Sequence, residues 1–243
     1  MKKLCKEKCR LVLSILACLT SSTVFSESSL TKGHFVFNFG GYIGSQGQSQ
    51  QINIQDLIGD TFTLDDRHYQ SYLLGLGYFI DGKKLGCANM SYGVNVFYLA
   101  PTSVSGNVIQ ENLFNNLSYR YHIANYPIYL MAKSTIDWKP MLAFTMDIGI
   151  GPNIMKTYDF QEGSLDGVTL PDSPFSSNTT TTLSATIGAG IKINNVFGEV
   201  PLEIGYRFFY LGQGYFKIGN PQVLNKLKTG NVYANAIIFS IST

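Results

Sequence analysis

The sequence predicts an all-β protein, an antiparallel up-and-down transmembrane β-barrel with eight strands preferred. Three observations predict it. Apolar residues recur with a period of two, in segments of about ten residues, the length of a tilted strand crossing a bilayer. Charged residues are only 14% of the 243-residue chain, against roughly 25% in a typical soluble domain. Aromatics reach 13%, with 15 Tyr, 16 Phe and one Trp, and Gly is 24. A hydrophobic share of 45% excludes a disordered chain. The same balance argues against a coiled coil or a helical bundle. No basic patch is present to neutralise phosphates, so nucleic acid is not an expected partner.

Residues 1–26 read as a cleaved secretory signal peptide. Lys2, Lys3, Lys6, Lys8 and Arg10 precede the apolar run Leu11 to Leu19, and Val24 and Ser26 suit cleavage after Ser26. That run is too short to span a membrane as a helix. The rival reading is a lipoprotein signal with Ile15-Leu16-Ala17-Cys18 as the lipidation box; the short run before it and bulky Leu16 make that box poor. Cleavage removes five of the 18 basic and one of the 16 acidic residues, leaving 13 and 15, so the mature chain is slightly acidic. It also removes Cys5, Cys9 and Cys18. Cys87 alone remains, read as a tolerated thiol near a short turn, with no intramolecular disulfide.

The mature chain then alternates. Phe35, Phe37, Phe39 and Ile43 share one face of the first segment, and Tyr72, Leu74, Leu76, Tyr78 and Ile80 one face of the second. Tyr92, Val94, Val96 and Tyr98 follow, then Leu117 to Ile123, Ile128 to Ala132, Leu142 to Ile150, Leu183 to Ile193 and Leu202 to Tyr210. The last segment runs from Val232 to Ser242, with Asn235 a misfit on its apolar face. The opposite face holds Gly, Ser, Thr and few charges, whereas a soluble sandwich turns a face rich in Lys and Glu to water. Tyrosines near both ends of the stripes, as at Tyr72/Tyr78 and Tyr92/Tyr98, suit two interfacial girdles. Strands with an apolar face satisfy their backbone in lipid only as a closed barrel. The fold-level rival is a soluble secreted barrel of lipocalin type.

Short connections are expected at Asp81-Gly82-Lys83-Lys84, Asp137-Trp138-Lys139 and Asn194-Asn195. Long polar ones are expected at Ser45 to Arg67, Lys156 to Thr180 and Gln213 to Gly230, read as exposed surface loops. The segments above number nine, and a barrel of this kind needs an even number. Either Leu113 to Ile123 belongs to an extended hairpin, giving eight, or a tenth strand lies in Ser103 to Gln110. Eight is preferred, with a turn expected at Ala124-Asn125-Tyr126 before Pro127.

The stretches PMLAFTMDIGIGP (Pro140 to Pro152), SATIGAGIK (Ser184 to Lys192) and EIGYRFFYLG (Glu203 to Gly212) resemble the small outer-membrane β-barrel family. That family includes the barrel domain of outer membrane protein A and related eight-stranded surface barrels. The resemblance implies a bacterial outer-membrane location and a barrel domain over residues 27–243. It also implies contact with outer-membrane lipid and lipopolysaccharide, and with the barrel-insertion machinery during biogenesis. Two departures matter. Such families often end on Phe or Trp, whereas this chain ends Phe239-Ser240-Ile241-Ser242-Thr243. No peptidoglycan-binding domain follows the barrel.

The inward faces are expected to carry Lys133, Asp147, Lys192, Glu203 and Arg207. They line either a selective pore or, as preferred here, an ion-paired plug, because an eight-stranded barrel is only wide enough for side chains to fill. Among the three histidines, His68 follows Asp65 and Asp66, a weak general-base arrangement. His34 begins the first strand, and His122 lies near Arg120. No metal-ligand cluster or phosphate loop is present, so no cofactor, metal or catalytic residue is assigned. Three functions follow. The preferred one is a non-catalytic surface barrel, structural or adhesive, whose long loops contact a host or matrix ligand. The second is a narrow porin-like channel, and the third a barrel enzyme acting on lipid or peptide at the cell surface.

Overall fold

Alternation of apolar with small or polar residues builds long antiparallel strands. The computed structural model describes residues 33–243 apart from Arg67 and Glu199; the expected signal segment lies outside the described residues. The elements are β1 (Gly33–Ser45), β2 (Gln50–Ile52), β3 (Asp60–Phe62), β4 (His68–Leu85), β5 (Ala88–Gln110) and β6 (Phe114–Lys139). They continue with β7 (Leu142–Ser164), β8 (Phe175–Ser176), β9 (Asn178–Phe197), β10 (Val200–Tyr215), β11 (Lys217–Ile218) and β12 (Lys228–Ser242). Eight of them, β1, β4, β5, β6, β7, β9, β10 and β12, pair in that order. The ring closes where β1 meets β12, with Phe39 opposite Phe239. Closure leaves no free edge in the wall.

Eight strands therefore replace the nine segments. Leu117 to Ile123 and Ile128 to Ala132 are two halves of β6, and Ser103 to Gln110 is the upper half of β5. The turn expected at Ala124 to Pro127 does not exist. Proline breaks only the ladder on one side: pairs with β5 are missing opposite Tyr126 and Pro127, while Pro127 remains opposite Asn153 of β7. The true turn is Glu111 to Leu113, where Glu111 and Asn112 have positive φ.

The three short turns also fall later than expected. Asp81 to Leu85 still pairs, with Leu85 opposite Ala88, and the chain reverses at Gly86 and Cys87. Asp137 to Lys139 pairs with β7 before the turn at Pro140 and Met141. Asn194 and Asn195 lie inside β9, which turns at Gly198 with φ +70°. Turn residues were a poor guide here because Gly and Asn also fit strand positions beside a bulky neighbour.

The apolar stripes face outward, except that of Leu117 to Ile123, where Leu117, Tyr119, Tyr121 and Ile123 turn inward and are buried in the upper barrel. Leu74, Leu76, Val94, Val96, Met146, Ile148 and Ile187 form an exposed aliphatic belt. Aromatics bound it. Tyr72, Tyr98 and Tyr126 make a run with centroids 6.4 and 5.4 Å apart, and Tyr210 meets Tyr233 at 5.5 Å. At the short-turn end Phe35 meets Tyr78 at 5.0 Å and Trp138 stacks on Phe144 at 5.3 Å. Asn235, the misfit, accepts a hydrogen bond from the Tyr206 hydroxyl at 2.5 Å, so its amide is partnered within the belt.

Beyond the tyrosines the wall continues. From Tyr126 to Phe114, β6 runs roughly a dozen residues further, on the order of 40 Å of strand. Bulges reset the inward parity in this region. Asp159 and Phe160 of β7 together oppose Tyr121, and Asp159 takes φ +56°. The bulge leaves Asp159 outside and turns Phe160 inward, where it is buried.

Candidate functional site

The charged groups of the lumen are placed by inward positions of β6, β7, β9 and β10. Lys133 of β6 forms an ion pair with Glu203 of β10, whose other oxygen accepts a 2.8 Å hydrogen bond from Thr145. Arg207 donates to Asp147 at 2.7 Å, and its guanidinium lies 5.3 Å from the Phe97 ring centroid. Lys192 is the cross-strand neighbour of Glu203 and, among the described residues, makes no ion pair of its own. The structure thus brings all five predicted residues together in one lumen. The void beside Asp147 and Arg207 is only about 10 Å³, room for one water at most.

Packed layers follow toward the loop end. Phe97, Tyr129 and Phe209, all fully buried, pack with centroids 5.3 to 6.2 Å apart. Gly75 makes room for this layer, since a Cβ there would lie 2.6 Å from the Phe97 ring. Asn153 then donates to Asn125 and to the Leu211 carbonyl, both at 2.8 Å. Tyr42 donates to the Ala100 carbonyl at 2.6 Å, and Gln46 to Thr102 at 2.6 Å. These buried amides and hydroxyls have partners within the wall, whereas Asp147 Oδ1 and Arg207 Nη1 in the charged layer are buried without one.

The long connections were expected to be exposed loops, and this is corrected in part. Ile52, Phe62, Phe175, Phe216, Val223 and Leu227 turn back and are buried in the barrel mouth. Phe62 packs on Tyr119 at 5.1 Å, Phe216 on Tyr121 at 4.9 Å and Phe175 on Phe160 at 5.3 Å. Burial of each large ring contributes about 1.5–3 kcal/mol. Sequence reasoning missed this cap. The available signal was lone aromatics inside otherwise polar stretches. Glu162 accepts the backbone N–H groups of Asp172 and Ser173 at 3.1 and 3.2 Å, and burial pushes its carboxyl above the ordinary range. Burial likewise raises Asp60.

Each histidine lies beside one carboxylate. His68 is 3.7 Å from Asp66, both exposed, while Asp65 donates its backbone N–H to the Ser105 carbonyl. His34 is 3.7 Å from Asp81 and stacks on Phe79. His122 lies 3.3 Å from Asp159 on the outer face, a neighbour supplied by the next strand and so invisible to sequence spacing. No group of three or more His, Cys, Asp or Glu that could hold a metal occurs among the described residues.

No protein-family model matches the chain, and no curated protein matches it in sequence. Solved structures do match. Outer membrane protein OprG from Pseudomonas aeruginosa is 17% identical, with 88% of this chain and 97% of that one covered and a TM-score of 0.50. Outer membrane protease OmpT from Escherichia coli is 8% identical over 91% and 99%, with a TM-score of 0.48. Neisserial surface protein A is 11% identical over 87% and 99%, with a TM-score of 0.42. With its closed eight-stranded ring, outward apolar belt and likeness to OprG, the chain has the fold of the small bacterial outer-membrane β-barrels.

Proposed function

We propose that this protein is a non-catalytic surface barrel of the bacterial outer membrane, which contacts its ligands through the loop end and conducts nothing. One observation carries the reading. Paired charges, an aromatic layer and inward-folded loops sit at successive levels of the lumen, and only about 10 Å³ is left beside the Asp147–Arg207 pair. The five lumen charges then act as an ion-paired plug. Lys133, Arg207 and Lys192 supply three positive groups against Asp147 and Glu203, and pairing offsets their desolvation. Residues 1–26 serve as the cleaved export signal. The belt meets lipid and lipopolysaccharide, the short turns face the periplasm, and the loop end faces outward.

The test is planar-bilayer recording on the refolded protein. Silence at all voltages below membrane breakdown is expected. Discrete conductance steps whose selectivity changes in Lys133→Met would establish the channel reading in its place. Hydrolysis of lipid or peptide substrates that is lost in His68→Ala would establish the enzymatic one.

A further inference from the structure

The loop end carries apolar side chains that its own cap does not use. Leu113 and Phe114, at the tip of the β5–β6 hairpin, are 74% and 61% exposed. Leu57 and Ile58 are similarly exposed, and Val168 and Leu170 are 82% and 85% exposed. Hydrogen bonds gather these three segments around one tip. Glu111 accepts the Ile58 N–H at 3.1 Å and donates its own N–H to Asp60 at 3.2 Å, while Thr61 bonds Asn112 at 2.5 Å. On the other side Leu165 donates its N–H to the Asn116 carbonyl at 2.8 Å, and Asn116 donates to Thr169 at 3.0 Å. The tip stands on the order of 40 Å of strand beyond the tyrosine girdle, so the barrel's own bilayer does not cover it.

Charge within these three segments has one sign; a cation, Lys226, follows the Asn225 that bonds Asn53 and Gln51. Residues 53–60, 111–116 and 162–174 contain no Lys, Arg or His, and of their six acids Asp56, Asp166 and Asp172 are exposed while Asp60, Glu111 and Glu162 are half-buried. Exposed apolar groups rimmed by charge mark a recognition surface. We infer that this tip docks a polypeptide surface in which apolar side chains are flanked by lysine or arginine. Charge decides among occupants. A second copy would set acidic tip against acidic tip, and an anionic membrane would be repelled. A cationic, apolar protein segment satisfies both halves of the site. The inference rests on the surface-barrel reading and names the partner class.

The experiment uses the full mature barrel in lipid nanodiscs and three probes: an amphipathic Leu/Lys peptide, its Leu/Glu counterpart, and phosphatidylcholine vesicles. Saturable binding of the Leu/Lys peptide is expected, weakening as salt rises toward a Debye length of about 3 Å at 1 M. The double substitution Leu113→Ser with Phe114→Ser should weaken it at least about tenfold, the effect of losing central apolar anchors. Both residues are exposed, so heat-modifiability should be unchanged and folding is controlled. Absence of Leu/Lys binding, equal binding of the Leu/Glu peptide, or binding indifferent to the double substitution would overturn the inference. So would vesicle capture through the tip or self-association of the nanodiscs. Bilayer conductance reads the underlying proposal separately, so either can fail alone.

Discussion

Lys133 and Glu203 sit three strands apart around the ring, yet their side chains meet across the lumen. Their cross-strand neighbours are others: Lys133 lies opposite Asp147, and Glu203 opposite Lys192. The lumen thus holds three cations and two anions in exchange range, and the two partners of the pair are not equivalent. Removing Lys133 leaves Glu203 with Lys192 and Arg207 nearby and brings the set to neutrality. Removing the Glu203 charge leaves three cations against Asp147, with Asp81 and Asp137 acting on Lys192. Glu203→Gln should therefore cost on the order of 3–5 kcal/mol, the penalty for an uncompensated buried charge, and Lys133→Met clearly less. Urea unfolding midpoints in a fixed lipid or detergent test the order. Equal losses would mean that the groups do not act as a set.

Gly75 and Phe97 set a second limit. A methyl at position 75 would stand 2.6 Å from the Phe97 ring and 3.2 Å from the Asn38 Cβ. Gly75→Ala should destabilise the barrel by about 1–3 kcal/mol through overpacking. Adding Phe97→Leu should recover part of that loss, since it trims the clashing ring. An unchanged unfolding midpoint in the single variant would show that the aromatic layer can shift without cost.

The loop end should respond to pH. Burial raises both Asp60 and Glu162. A carboxyl whose folded-state value is raised contributes stability that is complete below its ordinary value, and that is lost as pH rises through the raised one. Segments 53–63 and 162–174 should thus be better protected from amide exchange, after correction for intrinsic rates, in mild acid than at neutral pH. Asp166 acts oppositely. Its carboxylate accepts from the Thr169 hydroxyl and from the N–H groups of Val168 and Thr169, and lies far below the ordinary range, so its contribution is lost only in strong acid. Protection that rises steadily from pH 5 to pH 8 would contradict the assignment.

Period-two alternation made most of the wall legible, because each outward stripe must be apolar along its whole crossing. The belt at Leu74, Val94 and Ile148 follows from it directly. The upper wall was less legible, since bulges such as Asp159–Phe160 shift the parity and the polarity inverts there, with Tyr119 and Tyr121 buried while Arg120 and Gln161 are exposed. Pro127 was misleading for a physical reason: a proline at a strand position costs one ladder bond, not the strand. Inward charges at Lys133 and Arg207 could be assigned to the lumen by parity, but their partners could not. Pairing across a lumen depends on shear and tilt, which one strand's sequence does not encode. The buried cap of Phe62, Phe175 and Phe216 was hidden inside polar loops.

Orientation yields the last prediction. Cys87 is exposed in the β4–β5 turn, at the end opposite the long loops. If the short turns face the periplasm, a membrane-impermeant maleimide should leave Cys87 unlabelled on intact cells and label it once the outer membrane is permeabilised. The variant Cys87→Ser with Val168→Cys should behave in reverse, labelling on intact cells, because Val168 stands at the distal loop end. Mass spectrometry of the tagged peptide locates the label. Rapid labelling of Cys87 on intact cells, with Val168→Cys protected, would invert the barrel and place the acidic apolar tip in the periplasm. Its partner would then have to be sought among envelope proteins of the same cell.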